Sequence, residues 1–300
     1  MYKEYFQISE DPFELTPDPT RFVATERHNE ALASLYYAIR HHKGFVVVTG
    51  EVGTGKTLLL RCLLQLFEES KDFAYAYLFH SRLSPLEFLQ YVLADFGLDA
   101  AGKSKSELLF AFGKFLSNRA AQKLTTVLIV DEAHDLSEEL LEEVRLLSNM
   151  EAPDRKLLQI VLVGQPELDQ KLDSFGLRQL KQRIAIRTHL DPLTLEETAH
   201  YIHQRLEAAG VEPIRDPIFP QNTVEEVYRW SKGLPRLINS ICENALISAY
   251  ARKEPVIAPE VIASVAKDLR LDIEPVLPAR ETSNFLDRSI DDEDQVPRLL

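Results

Sequence analysis

The chain has 300 residues, 45% of them hydrophobic, and a net charge of −13. At about 100–200 residues per domain, this makes one large or two modest domains with enough apolar material for a real core. The acidic balance excludes a protein that binds nucleic acid over most of its surface, while leaving room for a local basic strip.

Residues 1–24 include DPFELTPDPTRF, rich in proline and aromatics, and predict an extended, docked lead-in. The opening MYKEYFQISEDPF lacks the apolar core of a signal peptide. No run approaches the roughly 18 apolar residues of a membrane span, so a soluble cytoplasmic protein is expected. Cys62 and Cys242 lie far apart inside helical patterns and read as buried, reduced thiols. There is no internal repeat.

Residues 29–42 have apolar positions at helical spacing. Strands and helices then alternate: a strand at 45–49, a helix over 55–69, and a second strand at 73–79. Ser84-Pro85-Leu86-Glu87 opens a helix to about residue 96, and Ser104-Lys105-Ser106-Glu107 opens another. A third strand at 126–130 precedes a helix over 137–149, followed by strands at 158–163 and 184–190. Unbroken β-branched runs alternating with helices predict an α/β fold with a parallel sheet covered on both faces.

After Leu190 the pattern turns all-helical. The segment Thr194–Glu197 opens a helix to Gly210, and Thr223–Glu226 opens one stopping near Gly233. Pro235 starts a third helix to about residue 251, and Pro259 a fourth to about residue 269. From Leu271 onward, eight acidic and three basic residues give −5 of the net −13. With three prolines and the run Asp291-Asp292-Glu293-Asp294, that segment is expected to be disordered. The expected division is therefore a lead-in (1–24), a nucleotide-binding domain (25–192), a helical domain (193–270) and an acidic tail (271–300).

GEVGTGKT, residues 50–57, meets every fixed position of G-x-x-x-x-G-K-[ST] between a strand and a helix, the setting of a P-loop. Gly50, Glu51, Val52, Gly53, Thr54 and Gly55 can turn successive N–H groups toward one phosphate. The helix start at Lys56, Thr57 and Leu58 adds its partial positive charge. Lys56 is assigned to the β- and γ-phosphates and the Thr57 hydroxyl to Mg²⁺.

VLIVDEAHDL, residues 127–136, ends an apolar strand in two carboxylates, which is expensive unless a cation or water meets them. Asp131 is placed to hold Mg²⁺ through water, and Glu132 to polarise the attacking water as general base. The DEAH tetrad also occurs in helicases, but no further helicase blocks are present. His134 reads as structural. Gln165, after the fourth strand, can sense the γ-phosphate. His80, just past the second strand, is an alternative restraint on Glu132, though an exposed or capping histidine is the plainer reading.

In LRQLKQRIAIR, Arg178 and Arg183 precede the fifth strand, an edge that a neighbouring subunit can reach. Either can supply a charge in trans, with Arg183 preferred. Arg236, in Gly233-Leu234-Pro235-Arg236, can reach back to the nucleotide and couple its state to the domain angle. No motif fixes an adenine pocket; the lead-in around Phe13 and Phe22, the surroundings of His28 and the helical domain are candidates. His200 and His203 share a helical face without a third ligand and read as surface residues.

The order of these features resembles the AAA+ ATPases, and more narrowly the ExeA/GspA (general secretion pathway protein A) family. The blocks that carry the likeness are MYKEYFQISEDPFELTPDPTRF, GFVVVTGEVGTGKTLLLR, LIVDEAHDLSEELLEEVRLLSN, IVLVGQPEL, LKQRIAIRTHLDPL and GLPRLINSICENAL. The resemblance implies a sheet in the order 5-1-4-3-2, a helical lid, and ATP with Mg²⁺ as ligands. It also implies hexamer-like rings of the protein with itself. Further, it implies a client in type II secretion, pilus or exopolysaccharide/exosortase-associated assembly at the inner membrane. Family members of full length continue into a transmembrane segment and a peptidoglycan-binding part. An acidic segment stands here instead, which suggests a short cytoplasmic form like the MshM-type proteins, acting on a membrane partner. The TnsC and TniB transposition ATPases share the layout, so an ATP-switched regulator that binds DNA is the alternative.

Overall fold

The computed structural model describes residues 1–16, 22–79, 83–212 and 217–271. His80, part of the lead-in and the acidic segment from residue 272 onward lie outside the described residues.

Two helices, α1 (Tyr2–Phe6) and α2 (Glu26–Arg40), precede the first strand. Strands β1 (Phe45–Gly50), β2 (Phe73–Leu78) and β3 (Thr125–Val130) are followed by a two-residue antiparallel ribbon, β4 (Glu151–Ala152) with β5 (Arg155–Lys156). Strands β6 (Leu158–Gly164) and β7 (Ile184–Leu190) complete a five-stranded sheet in the order β2-β3-β6-β1-β7. Every pairing in it is parallel. Counting only these five strands, the order is the 5-1-4-3-2 expected from the sequence.

The apolar runs are continuous because each strand feeds two cores. Phe45, Val47, Leu128, Val130, Ile160 and Leu162 point to one face, under α4 (Pro85–Asp95), α5 (Lys105–Ala121) and α6 (Glu138–Leu147). Their alternates Val46, Val48, Val127, Ile129, Val161 and Val163 meet α2 and the helix after the P-loop, Lys56–Ser70 (α3). Burying a large apolar side chain contributes about 1.5–3 kcal/mol, so both faces must be covered. Strand β7 is an edge, and its residues alternate between half-buried and exposed.

Three of the four predicted capping boxes form: Ser84, Ser104 and Thr194 each accept from the backbone of a glutamate three residues on, which reaches back to the cap. Helix α2 starts three residues earlier than the apolar spacing predicts, because the Thr25 hydroxyl caps it at His28. Two short helices escaped the sequence reading, α7 (Pro166–Leu172) and α8 (Arg178–Lys181). Cys242 is buried, whereas Cys62 is only half-buried; both are free thiols.

The helical domain comprises α9 (Leu195–Ala208), α10 (Gln221–Ser231), α11 (Pro235–Arg252) and α12 (Pro259–Asp268). The expected cap at Thr223 does not form. Helix α10 begins three residues earlier, after Pro220, and the buried Thr223 hydroxyl donates instead to the Ile257 carbonyl at 2.6 Å. The lead-in is docked but not wholly extended, since residues 2–6 are helical. Phe6, Ile8 and Phe13 enter the core of the helical domain. Arg205 Nε fixes the strap by donating to the Pro12 carbonyl at 2.6 Å, and the Ser9 backbone donates to Ala209 at 2.8 Å. Among the described residues no helix is long and apolar enough to cross a membrane.

The chain entering the helical region packs against Gly233. Its φ is +74°, and an added Cβ would stand 2.0 Å from the Leu193 carbonyl oxygen. Glycine is needed there because the linker passes against the backbone, with Leu193 N–H donating to the Gly233 carbonyl at 2.8 Å.

Candidate nucleotide site

The C-terminal ends of β1, β3 and β6 open beneath the helical domain, leaving a cleft of about 330 Å³. Val52, Gly53, Gly55, Lys56, Thr57 and Leu58 line it from the loop after β1. Glu132 and Gln165 enter from the neighbouring strand ends, and Arg236 from the start of α11. Of the other assigned residues, Gly50 and Glu51 supply carbonyls to Lys56 Nζ at 2.7 and 2.8 Å. Thr54 is buried and donates its hydroxyl to the Glu51 carbonyl at 2.9 Å, which braces the loop from within.

Burial pushes the Lys56 ammonium below the ordinary lysine range, while Glu132, Asp131, Glu51 and Glu167 pull it back. The charge is thus held by a ring of carboxylates and carbonyls at the mouth of the helix. Asp131 is a hub. Its Oδ1 accepts from Glu132 N–H at 2.9 Å, and its Oδ2 accepts from the Tyr77 hydroxyl at 2.6 Å. Thr57 Oγ1 stands 3.5 Å from the same Oδ2. Burial, then the Asp131 hydrogen bond, raises the Tyr77 phenol well above its usual range, so it stays a donor. Glu132 has φ +51°, a left-handed backbone that a non-glycine residue holds only when its surroundings demand it.

The lead-in next to Phe13 and the helical domain, both named as adenine-pocket candidates, do line the cleft, through residues that the sequence does not single out. Tyr201, Arg205 and Asn239 line it from the helical domain, and residues 14–16 from the lead-in. Tyr201 donates to Asn239 Oδ1 at 2.9 Å, which fixes the amide on the cleft wall. Asn239 lies one turn after Arg236 on α11, a spacing visible in sequence, but nothing marked the pair as a wall. Of the adenine-pocket candidates, Phe13 is buried in the helical core and does not line the cleft. Phe22 packs edge-on against His28, with ring centroids 5.4 Å apart.

His28 supports the loop from behind. Its Nδ1 lies 2.7 Å from Thr25 Oγ1 and its Nε2 3.0 Å from the Thr54 carbonyl. The network assigns the neutral tautomer with the proton on Nε2, donating to Thr54. Burial lowers its pKa below the ordinary histidine value. The unfolded chain therefore takes up the proton first as pH falls through about 6.5, so this group contributes stability above that value and loses it on acidification. Replacing His28 by alanine is expected to cost about 1–3 kcal/mol. It should also weaken nucleotide binding and flatten the melting temperature's dependence on pH between about 5 and 7. Thermal melts across that range, with a fluorescent ATP analogue for affinity, check all three.

Arg183 does not join the cleft. It precedes β7, whose first residue pairs with Phe45 at the start of β1. At about 3.3 Å per residue along β1, Arg183 sits roughly 20 Å from the phosphate end. It donates to Ser148 Oγ at 2.8 Å and lines a separate hollow of about 510 Å³ with Lys43, Arg145 and Lys156. Arg178 is exposed and stacks over Phe175 at 4.6 Å.

The profile of the AAA domain family (AAA_22) matches residues 39–172. General secretion pathway protein A of Aeromonas hydrophila is 44% identical over 254 residues, 84% of this chain and 45% of that protein. The chain thus spans less than half the length of that relative. ATP-dependent target DNA activator B of Escherichia phage D108 is 24% identical over 266 residues, 86% of this chain and 76% of the other. Among solved structures, the Aeropyrum pernix ORC2 protein superposes with a TM-score of 0.63 at 16% identity, covering 87% of this chain and 72% of that one. That last likeness speaks to the fold alone. With a P-loop on a 5-1-4-3-2 sheet beneath a helical region, the chain has the fold of the AAA P-loop proteins, and over 84% of its own length it is similar to general secretion pathway protein A.

Proposed function

We propose that the chain hydrolyses ATP with Mg²⁺ and works as an oligomeric switch for envelope assembly, in secretion, pilus or exopolysaccharide export. The observation that carries this reading is the convergence of Lys56, Thr57, Glu132, Gln165 and Arg236 on one cleft, with Asp131 at its base. The loop amides and Lys56 bind the phosphates. The hard oxygens of Thr57 and Asp131 suit Mg²⁺, and among the described residues no cluster of three or more His, Cys, Asp or Glu forms a separate metal cage. Thr57, and Asp131 through water, would hold the ion, which would supply neutralisation of charge on the phosphoryl oxygens. Glu132 takes the proton of the attacking water. Gln165 reads the γ-phosphate, and Arg236 carries its presence or loss to the helical domain. Arg183, at the far end of the sheet from its own cleft, serves the cleft of a neighbouring subunit. The client is a protein of a secretion pathway, a reading that rests on the likeness to the Aeromonas general secretion pathway protein.

One observation favours a second reading. The Arg183 hollow shares Lys43 and Lys156 with a neighbouring one lined by His41, His42 and Arg155, so an acidic chain carries a basic trough. Such a trough suits phosphates of a DNA backbone, and the phage relative is a target DNA activator. Steady-state ATP hydrolysis measured across protein concentration, with and without duplex DNA, separates the two. Specific activity that rises with concentration and ignores DNA supports the protein-client switch. Stimulation by DNA, lost in a Lys43→Glu/Lys156→Glu variant, puts the DNA-bound switch first.

A further inference from the structure

The histidine of the DEAH tetrad stands where the general base and the sensor meet. His134 is nearly enclosed, with 12% of its side chain exposed. Its backbone is clamped: Lys171 on α7 donates to the carbonyls of His134 and of Leu136. A Cβ at Gly164 would come within 3.1 Å of the His134 backbone nitrogen, so glycine at the end of β6 lets the turn lie against the sensor strand. What remains is the imidazole, and one nitrogen of it has two neighbours. Gln165 N–H donates to Nδ1 at 3.3 Å. Glu132 Oε2 lies 3.4 Å from the same Nδ1. The other nitrogen, Nε2, faces Asp135 Oδ1 at 3.7 Å.

These two contacts make opposite demands. To accept from Gln165, Nδ1 must be bare; to hold the Glu132 carboxylate, it must carry the hydrogen. The nitrogen cannot serve both at once. We propose that His134 is a positioning residue that exchanges its Nδ1 hydrogen bond between the Gln165 backbone and the Glu132 carboxylate, so that movement of the sensor strand sets the aim of the base. When Gln165 N–H holds Nδ1, the Glu132 side chain has no partner on that side. When Gln165 moves toward a γ-phosphate, Nδ1 is released; solvent reaching the ring takes the proton from Nε2 and returns one to Nδ1, and this Nδ1–H tautomer orients Glu132 for the attacking water. His134 touches neither the attacking water nor the phosphate in this scheme. It acts through Glu132 and rests on the reading of that residue as the base.

The test uses the geometry of side chains that copy one imidazole nitrogen each. The asparagine amide falls near Nδ1 and can donate or accept; the glutamine amide falls near Nε2. We compare kcat and KM for ATP in His134→Asn, His134→Gln and His134→Ala, alongside Glu132→Gln. Misaiming a catalytic group by about 1 Å costs on the order of 10²-fold, so His134→Ala and His134→Gln should lose roughly 10–100-fold in kcat. KM should stay within about threefold because the phosphate cradle is untouched, and His134→Asn should recover most of the loss. Recovery by asparagine but not glutamine requires Nδ1 and cannot arise from filling space alone. If asparagine and glutamine behave alike, or if the loss appears in KM with kcat unchanged, the proposal is wrong. The outcome also separates the two levels of inference. Full activity in Glu132→Gln overturns the base assignment itself, whereas an inactive Glu132→Gln with a fully active His134→Ala overturns only the exchange.

Discussion

Replacing Glu132 by glutamine is expected to lower ATP turnover by roughly 10²–10⁴-fold while ATP still binds. The substitution keeps the size of the side chain and the left-handed backbone at φ +51°, and the backbone N–H still donates to Asp131 Oδ1. What disappears is the carboxylate that, of the two lining the cleft among the described residues (Glu14 and Glu132), stands beside Lys56 at the strand end. Lys56 should remain charged in this variant. Burial lowers its pKa and Glu132 is the first of the carboxylates opposing that shift, but a bound triphosphate brings more negative charge than the glutamate removes. Phosphate release and nucleotide affinity, measured on the same preparation, check the expectation. Sedimentation in ATP should further show a persistent oligomer, since the bound nucleotide is no longer consumed. Wild-type turnover in this variant would remove Glu132 from the mechanism and leave Asp131 as the remaining carboxylate at the strand end.

The sheet and the turn of the loop after β1 were legible because their residue types are forced. A strand buried on both faces needs an unbroken apolar run, so residues 45–49 and 126–130 read as central strands, and both proved wholly buried. A phosphate cradle needs backbone freedom followed by a cation at a helix start, and Gly53 and Gly55 do take positive φ values of 87° and 98°. Local signals misled where tertiary contacts outvoted them. Thr223 has the sequence of a capping box, yet it is fully buried against Ile257, so its hydroxyl is spent there. Helix α7 is seven residues long, begins directly after a strand at Pro166, and is too short for periodicity to register.

The residues that refine the site were illegible for a different reason: they reach it across the fold. Tyr77 belongs to β2 and meets Asp131 only because β2 pairs with β3 in register, Leu78 beside Val130. His28 lies 26 positions before the Thr54 carbonyl it supports. Arg205 sits on a helix of the other domain, where its guanidinium is directed to the lead-in carbonyls as well as the cleft. No spacing rule joins such pairs, because the distance between them is set by strand order and domain docking. The same holds for the basic trough. Net charge argues against it, and only folding brings Lys43, Arg145, Lys156 and Arg183 to one rim.

Arg183→Ala should lose most of its activity alone and regain part of it when mixed with Glu132→Gln subunits. The geometry makes the argument. Arg183 lies at the start of an edge strand, at the opposite end of the sheet from the P-loop, and its own cleft is lined without it. A positive charge there can act on the triphosphate of a second copy but not on its own, and in the best cases such a charge is worth about 10³–10⁵ in rate. A mixed oligomer then contains interfaces where an intact Glu132 in one subunit faces an intact Arg183 from the next. Those interfaces are complete, although neither parent protein has one. Each variant alone supplies the baseline, and activity above the sum of the two as the mixing ratio is varied is the expected result. Arg178→Ala serves as the comparison: that side chain is exposed on Phe175, whereas Arg183 is held by Ser148 at 2.8 Å and so keeps a defined direction. If co-sedimentation shows mixed oligomers and no activity returns, the shared site is excluded. If Arg178→Ala reproduces both the loss and the rescue while Arg183→Ala does not, the finger is Arg178, and the Ser148 contact of Arg183 is part of the subunit's own structure.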